Sequence, residues 1–390
     1  MHPLISSGIL AALTCGLHAQ IVLTNGTPNP AYKNLWAWYD AANGPNSSAT
    51  PLPDGTPITR WDDRGSGKRH LTRGDNNATR QPTARNNIGT CGPAVEFNGD
   101  DYIWQGAQQI GRLSSARTIL LVVDVGVANG GYIFDGSTFS GRTALFTGDT
   151  ANPGSWLLYW SDNRQSAPNG YQMNGPKVAT NRYRFRTVVM DKGVQELYVD
   201  TKKVASAKEA RIFNLGGIIL GSRANTANGL IGHIKEVLIY QENLSAVDRA
   251  LLWAYFSGRH SFAYGVAYGK GCAGTGKAVP KLTLTGCPAP SKRISLGITN
   301  ALGGAPGALL VGTTRTSLPI GPCTVLLAPV IVTVPFVTAG SGAGAGKASL
   351  TLTIPASVPA ATVTWQGAVL DRGSASGFFS ATNGLEMHVF

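Results

Sequence analysis

A single helix with written start and stop signals, set among short β-branched runs, constrains this chain more than any other feature. It lies in Gly229 to Gly258, where the run Ile234 to Tyr240 leads into a short amphipathic segment. Ser245 followed three residues later by Asp248 is a capping-box pattern, in which hydroxyl and carboxylate satisfy N–H groups that a first helical turn leaves free. The helix is therefore expected from about Ala246. Val247, Ala250, Leu251, Ala254 and Tyr255 recur at helical spacing, and Gly258 stands where a left-handed C-cap would close it. A strand feeding one lone helix reads as the closing element of a β-sandwich.

The rest of the first 260 residues supports that reading. Leu35 to Asp40, Gly131 to Asp135, Thr143 to Thr147, Trp156 to Ser161 and Ile218 to Ser222 are short strands between Gly, Asn and Pro turns; Ile58 to Gly67 is a strand ending in a turn, and Ala94 to Tyr102 reads as strand, glycine turn and strand. Thr118 to Val123 is continuously apolar, as for a strand covered on both faces. Phe185 to Met190, the turn Asp191-Lys192-Gly193 and Glu196 to Asp200 form the clearest hairpin. About ten strands and one helix predict an antiparallel sandwich.

The order Leu35-Trp36, Trp61-Asp62-Asp63 with Gly65-Ser66-Gly67, Val95 to Gly99, Leu197 to Asp200, Ile219 to Ser222 and the closing element resembles the laminin-G-like, or concanavalin A-like, lectin/glucanase jelly roll of secreted bacterial proteins. The resemblance covers about residues 34–262. It departs at Thr201-Lys202, where family members often place a glycine after the Asp. The expected fold is all-β: an antiparallel jelly-roll sandwich with one short C-terminal helix, then a second, smaller β-sandwich. The domains are residues 1–19 as a signal peptide, 20–33 as a lead-in, 34–262 as the jelly roll, 263–280 as a linker and 281–390 as the C-terminal β-domain. The last is rich in Gly, Ala, Leu and Pro and resembles small β-sandwiches appended to secreted bacterial proteins. Leu318 to Val337 has the length of a membrane span, but Pro319, Pro322, Pro329 and Pro335 favour strands.

Leu4 to Leu17 followed by His18-Ala19 reads as a secretory signal cut before Gln20; Cys15 also admits a lipoprotein reading, against which Ala12-Leu13-Thr14 is a poor lipobox. The expected location is extracytoplasmic, secreted or in the cell envelope. Cys91, Cys272, Cys287 and Cys323 then make an even set with three possible pairings. Closeness in sequence favours Cys272 with Cys287, leaving Cys91 and one late cysteine free or joining the two domains. The net charge of +12 favours acidic partners such as anionic polysaccharide or cell-surface polymers, and also serves solubility. No Lys/Arg cluster tracks a phosphate backbone, so nucleic acid is not expected.

Catalytic patterns are absent from the sequence. The six glutamates are isolated, with no Glu-x-Asp-x-Glu run of the kind glucanases of this fold carry, so no enzyme is expected. His70, His233, His260 and His388 lack ligand spacing. The Gly271 to Lys277 run starts like a phosphate-binding loop, but Ala278 replaces the hydroxyl and Pro280 opposes the helix, so it reads as a turn. Binding residues are expected on Ser155 to Ser161, where Trp156, Leu158 and Trp160 share one face and Leu157 and Tyr159 the other. Trp156 and Trp160 facing a concave side, with Tyr159, Asp162, Asn163 and Arg164 nearby, would form a sugar platform; ordinary core packing explains the same alternation. The resemblance implies Ca²⁺ for some members, with Asp135, Asp149 and Asp162 as candidate loop ligands. The expected function is a secreted, non-catalytic protein recognising carbohydrate or another surface ligand. The alternatives are a structural envelope or adhesion protein using protein contacts and, third, a glycoside hydrolase with an unusual site.

Overall fold

The computed structural model describes residues 20–73, 78–86, 91–113, 116–128, 130–136, 142–161, 170–180, 184–211, 214–223, 228–260, 263–359 and 361–389. The expected signal segment lies outside these. Two eight-stranded antiparallel sheets build the first domain. One runs in the order Lys202–Ala207, Val194–Val199, Arg184–Asp191, Arg117–Val125, Ile231–Tyr240, Ala94–Asn98, Thr83–Arg85, and Leu35–Asp40 also pairs with Ile231–Tyr240. The other runs Gly170–Lys177, Ser155–Ser161, Arg142–Thr147, Tyr132–Asp135, Ile218–Leu220, Ile103–Gln105, Leu71–Arg73, Arg60–Trp61. Period-two alternation sends Val95, Phe97, Ile119, Leu121, Val123, Val237 and Ile239 of the first sheet inward, against Leu145, Trp156, Leu158, Trp160 and Leu220 of the second.

The Arg117–Val125 strand is buried along its whole length, as its unbroken apolar run requires. Its outward side chains, Leu120 and Val122, join Trp38, Leu238 and Tyr240 beneath the helix, where Leu252 and Phe256 complete a second core. The helix spans Ala246–Arg259, and the Ser245 hydroxyl accepts from the Asp248 N–H at 3.1 Å, so the capping box holds. It does not end at Gly258. The chain stays helical to Arg259 because His260 carries the cap, donating its N–H to Phe256 and placing its ring on Glu236. The apolar face also differs from the expected one: Val247 and Leu251 are exposed, and Arg249, Leu252 and Phe256 face the sheet.

The tight connection after Val199 is made without glycine. Asp200 itself adopts a left-handed φ of 55° and donates its N–H to the Phe185 carbonyl at 2.9 Å, which accounts for the departure at Thr201-Lys202.

The second domain packs a five-stranded sheet (Tyr264–Tyr268, Phe379–Val389, Ala361–Leu370, Pro306–Ile320, Cys323–Val337) on a three-stranded one (Lys281–Gly286, Arg293–Gly303, Gly342–Thr353). Leu282, Ile294, Leu296, Leu309, Trp365, Leu385 and Met387 fill the space between. The stretch expected to be a linker contributes the strand Tyr264–Tyr268, which pairs with Phe379–Val389, so the second domain begins before residue 281. Leu318 to Val337 comprises the end of the Pro306–Ile320 strand, the turn at 321–322 and the whole Cys323–Val337 strand, and no helix among the described residues is long and apolar enough to cross a membrane. Gly271 to Lys277 is a turn ending in a single 3-10 turn, Thr275–Lys277.

The disulfides are Cys91–Cys287, 196 residues apart, and Cys272–Cys323, 51 apart. The expected Cys272–Cys287 pairing is not formed. Cys272 is bonded through its backbone to Ala381, and Cys323 and Ala381 pack with it, so the order of strands in the sheet outweighs nearness in sequence. Cys287 is thereby left to join the second domain to the first.

Candidate functional site

The Ser155–Ser161 strand alternates as expected, and its tryptophans face inward. Trp156 and Trp160 are each 1% exposed and belong to the inter-sheet core. The face of Trp156 is occupied by the Arg186 guanidinium, 4.2 Å from the ring centroid, and Trp160 stacks on Tyr171 at 5.7 Å. Neither ring has a face left for a sugar, which corrects the expectation of a tryptophan platform. Asp162, Asn163 and Arg164 lie outside the described residues.

Tyr159 is on the opposite, outward face and is half-buried. Directly opposed residues in an antiparallel ladder share a face. The registers Ala144–Tyr159–Gln172 and Phe146–Leu157–Asn174 therefore set two rows on this face, in which Ala144, Phe146 and Leu157 are buried, Tyr159 is half-buried and Gln172 and Asn174 are exposed. Tyr132 stacks on Phe146 with ring centroids 4.5 Å apart and planes 4° from parallel, fixing an aromatic step beside them. The Arg142 guanidinium lies 5.3 Å from the Tyr159 ring and is held by Asp135 at 2.5 Å. Burial opposes the Arg142 charge, but Asp135 more than compensates and holds it above its ordinary value.

Beyond Tyr159 lies a network of exposed amides. Gln172 Nε2 donates to Asp149 at 2.9 Å and to Asn174 Oδ1 at 3.1 Å, and Asn174 donates to Asn152 at 3.1 Å. The Asn152 N–H donates to Asp149 at 2.6 Å. Slight burial alone would raise Asp149, yet these donors hold it below the usual carboxylate value. The surface thus combines a half-buried aromatic ring with donors and acceptors in fixed positions, the combination that orients a polar ring-shaped ligand.

The expected Ca²⁺ ligands do not assemble. Asp135 is fully buried and both its oxygens are engaged, by Arg142 and by the Gly136 N–H at 2.8 Å. Asp149 lies beyond the other end of the Arg142–Thr147 strand, on the order of 20 Å along the backbone. Asp162 falls outside the described residues, and among the described residues no cluster of three His, Cys, Asp or Glu forms a metal site. Asp135 and Asp149 therefore do not share a site for the ion.

Carboxylates that are isolated in sequence do meet in space. Glu236 is fully buried and sits opposite Asp40 in register. It accepts from Trp38 Nε1 at 2.6 Å and Tyr255 OH at 2.8 Å, and contacts His260 Nε2 at 2.6 Å; Arg259 bridges it to Asp40 at 3.3 and 2.6 Å. Glu96 and Asp124 likewise flank His233 at 3.6 and 3.2 Å. His70 and His388 also rest on carboxylates, Asp62 and Glu386. Each of these acids is matched by a cation, and Glu236 and Asp40 have no open surface, so they pin the helix to the sheet. Spacing in the sequence carries no signal for such contacts.

A family model described as the concanavalin A-like lectin/glucanases superfamily matches residues 98–248. No curated protein matches the chain. Among solved structures, the binding domain of Paraclostridial Mosquitocidal Protein 1 aligns at 12% identity over 73% of this chain and 63% of that one, with a TM-score of 0.41. Botulinum neurotoxin type C, whose cell entry depends on two ganglioside molecules, aligns at 10% over 86% and 92%, with a TM-score of 0.43. An arabinofuranosidase complexed with arabinofuranosyl-alpha-1,2-xylobiose aligns at 13% over 67% and 71%, with a TM-score of 0.44. At scores this low, no functional argument rests on these structures.

Proposed function

We propose, from the premise that the first domain is a concanavalin A-like sandwich, that this is an extracytoplasmic, non-catalytic protein that binds saccharide. The observation that carries the reading is the outward face around Tyr159, where an aromatic ring lies beside the fixed amides of Gln172 and Asn174. A sugar ring offers an apolar face to the tyrosine and hydroxyls to the amides. Two disulfides suit an oxidising compartment. The absence of a free carboxyl pair in the buried clusters, where each acid has a cationic partner, favours binding over hydrolysis.

Isothermal titration of the full, disulfide-bonded chain against a panel of neutral and acidic polysaccharides tests this. At least one neutral polysaccharide is expected to bind, with affinity unchanged by EDTA and lowered about five- to tenfold by Tyr159→Ala. Wild-type affinity in both Tyr159→Ala and Gln172→Ala, or no binding across the panel, would refute it.

A further inference from the structure

At the far end of the same sheet, six strand steps and about 30 Å from Tyr159, lies a second polar pocket. It holds about 450 Å³ between the loop 43–49 and the segment 62–70. Its walls include Asn43, Ser47, Ser48, Arg64, Lys68 and His70. No Phe, Tyr or Trp is among the described residues that line it, so it is chemically unlike the Tyr159 face.

The Asp62 and Asp63 carboxylates in its walls are engaged by ion pairs or backbone N–H groups, and Lys68 is the wall cation that meets no carboxylate among the described residues. Asp63 is buried and accepts N–H bonds from Trp38, Gly65 and Arg69 at 2.7–2.8 Å. Asp62 is held by Arg60 at 2.5 Å and His70 at 2.8 Å. Arg64 pairs with the buried Asp40 while its guanidinium lies 4.1 Å from the Trp38 ring centroid. Lys68 is exposed and makes no ion pair with any described residue.

The backbone points to the same residues. Asn46, Ser47 and Lys68 have φ of 50°, 60° and 52°. This chain places glycine at most of its left-handed positions, because a side chain there is strained. Lys277 and Ser291 adopt similar angles elsewhere, so the conformation assigns no role by itself; its effect here is to bring Ser47 and Lys68 to the wall of one pocket. Asn46 anchors the loop, accepting from the Thr59 N–H at 2.9 Å and donating to the Pro57 carbonyl at 2.8 Å.

We propose that this pocket binds one uronate unit of an acidic polysaccharide, its carboxylate on the Lys68 ammonium and its hydroxyls on Asn43, Ser47 and Ser48. The assignment rests on the reading of the jelly roll as a saccharide binder and adds a second, charge-selective subsite to it. The +12 net charge concentrates acidic polymers around the protein, and the unpaired ammonium selects the carboxylate at close range.

The test is titration of the full oxidised chain with trigalacturonate, galactotriose and inorganic sulfate. Trigalacturonate is expected to bind about tenfold more tightly than galactotriose, an advantage that 0.5 M NaCl removes. Lys68→Gly is expected to abolish the advantage and at the same time raise the melting temperature, since glycine relieves the left-handed strain. Tyr159→Ala is expected to leave the uronate preference intact, which separates this subsite from the aromatic face. Undiminished trigalacturonate affinity in Lys68→Gly, equal affinity for galactotriose, or sulfate binding as tightly as trigalacturonate would each overturn the proposal. Loss of this preference with neutral polysaccharide binding retained would refute the subsite and spare the aromatic face.

Discussion

Arg186 lies between the two sheets, 2% exposed, with its guanidinium over Trp156 and one N–H donated to the Phe185 carbonyl at 3.0 Å. Burial pushes it down to about 9, as it does Arg117, and pushes Lys235 down to about 7. A sandwich core with buried cations needs aromatic and hydroxyl hosts, which is one reason Trp156 faces inward. Asp101 is the opposite case. It is 2% exposed, one oxygen accepts from the Asn98 N–H at 3.0 Å, the other has no partner, and desolvation raises the carboxyl to about 7. Its folded-state value lies above the ordinary 3.8, so the favourable protonated state is fully present below about pH 4 and lost as pH rises through 7. Asp101→Asn is therefore expected to stabilise the protein by about 1–2 kcal/mol at pH 8 and to change little at pH 4, read from urea melts across that range. Equal effects at both pH values would show that the carboxyl titrates normally.

The helix shows what a periodic pattern conveys and what it omits. Its start is legible because Ser245 and Asp248 act locally. Its docking face is not, because polar contacts with the sheet set its rotation. Arg249 donates to the Tyr198 hydroxyl at 3.2 Å, and Tyr255, Arg259 and His260 converge on Glu236. Glu236 lies on a strand more than ten residues before its helix partners, and the exposed Val247 and Leu251 imitate a core face. The strand of Tyr159 gives the same lesson: alternation assigns residues to two faces, and only the opposing sheet determines which face is inside. Glu236→Gln leaves Arg259 and His260 facing a neutral amide in a buried site. It is expected to cost about 3–5 kcal/mol in urea unfolding, with hydrogen-exchange protection of the Ala246–Arg259 amides falling first. Unchanged helix protection would show that apolar packing alone holds the element.

For the whole molecule, the two-sandwich architecture is legible from turn spacing and from the compositional change near residue 262. The connection between the domains is not, because Cys91 and Cys287 are 196 residues apart and the Tyr264–Tyr268 strand pairs with the far end of the chain. The Lys68 pocket is equally hidden, since it draws on two loops and on backbone angles that no spacing encodes. Replacing both Cys91 and Cys287 with Ser is expected to cost about 2–5 kcal/mol and to resolve calorimetric unfolding into two transitions. A single, unshifted transition would show that the bridge contributes nothing to coupling. The same bridge sets the path of tension. A pull between Gln20 and Val389 runs along the chain to Cys91, crosses the sulfur bond to Cys287 and continues into the second domain. The second bridge offers a path from Cys287 back to Cys272 and across to Cys323, so residues 92–271 are bypassed; the strand bearing Tyr159 carries no load, whereas Lys68 lies on the stretched arm ahead of Cys91. A protein held to a surface at one end and to a polymer at the other would keep its aromatic face unstrained while force deforms the pocket around Lys68.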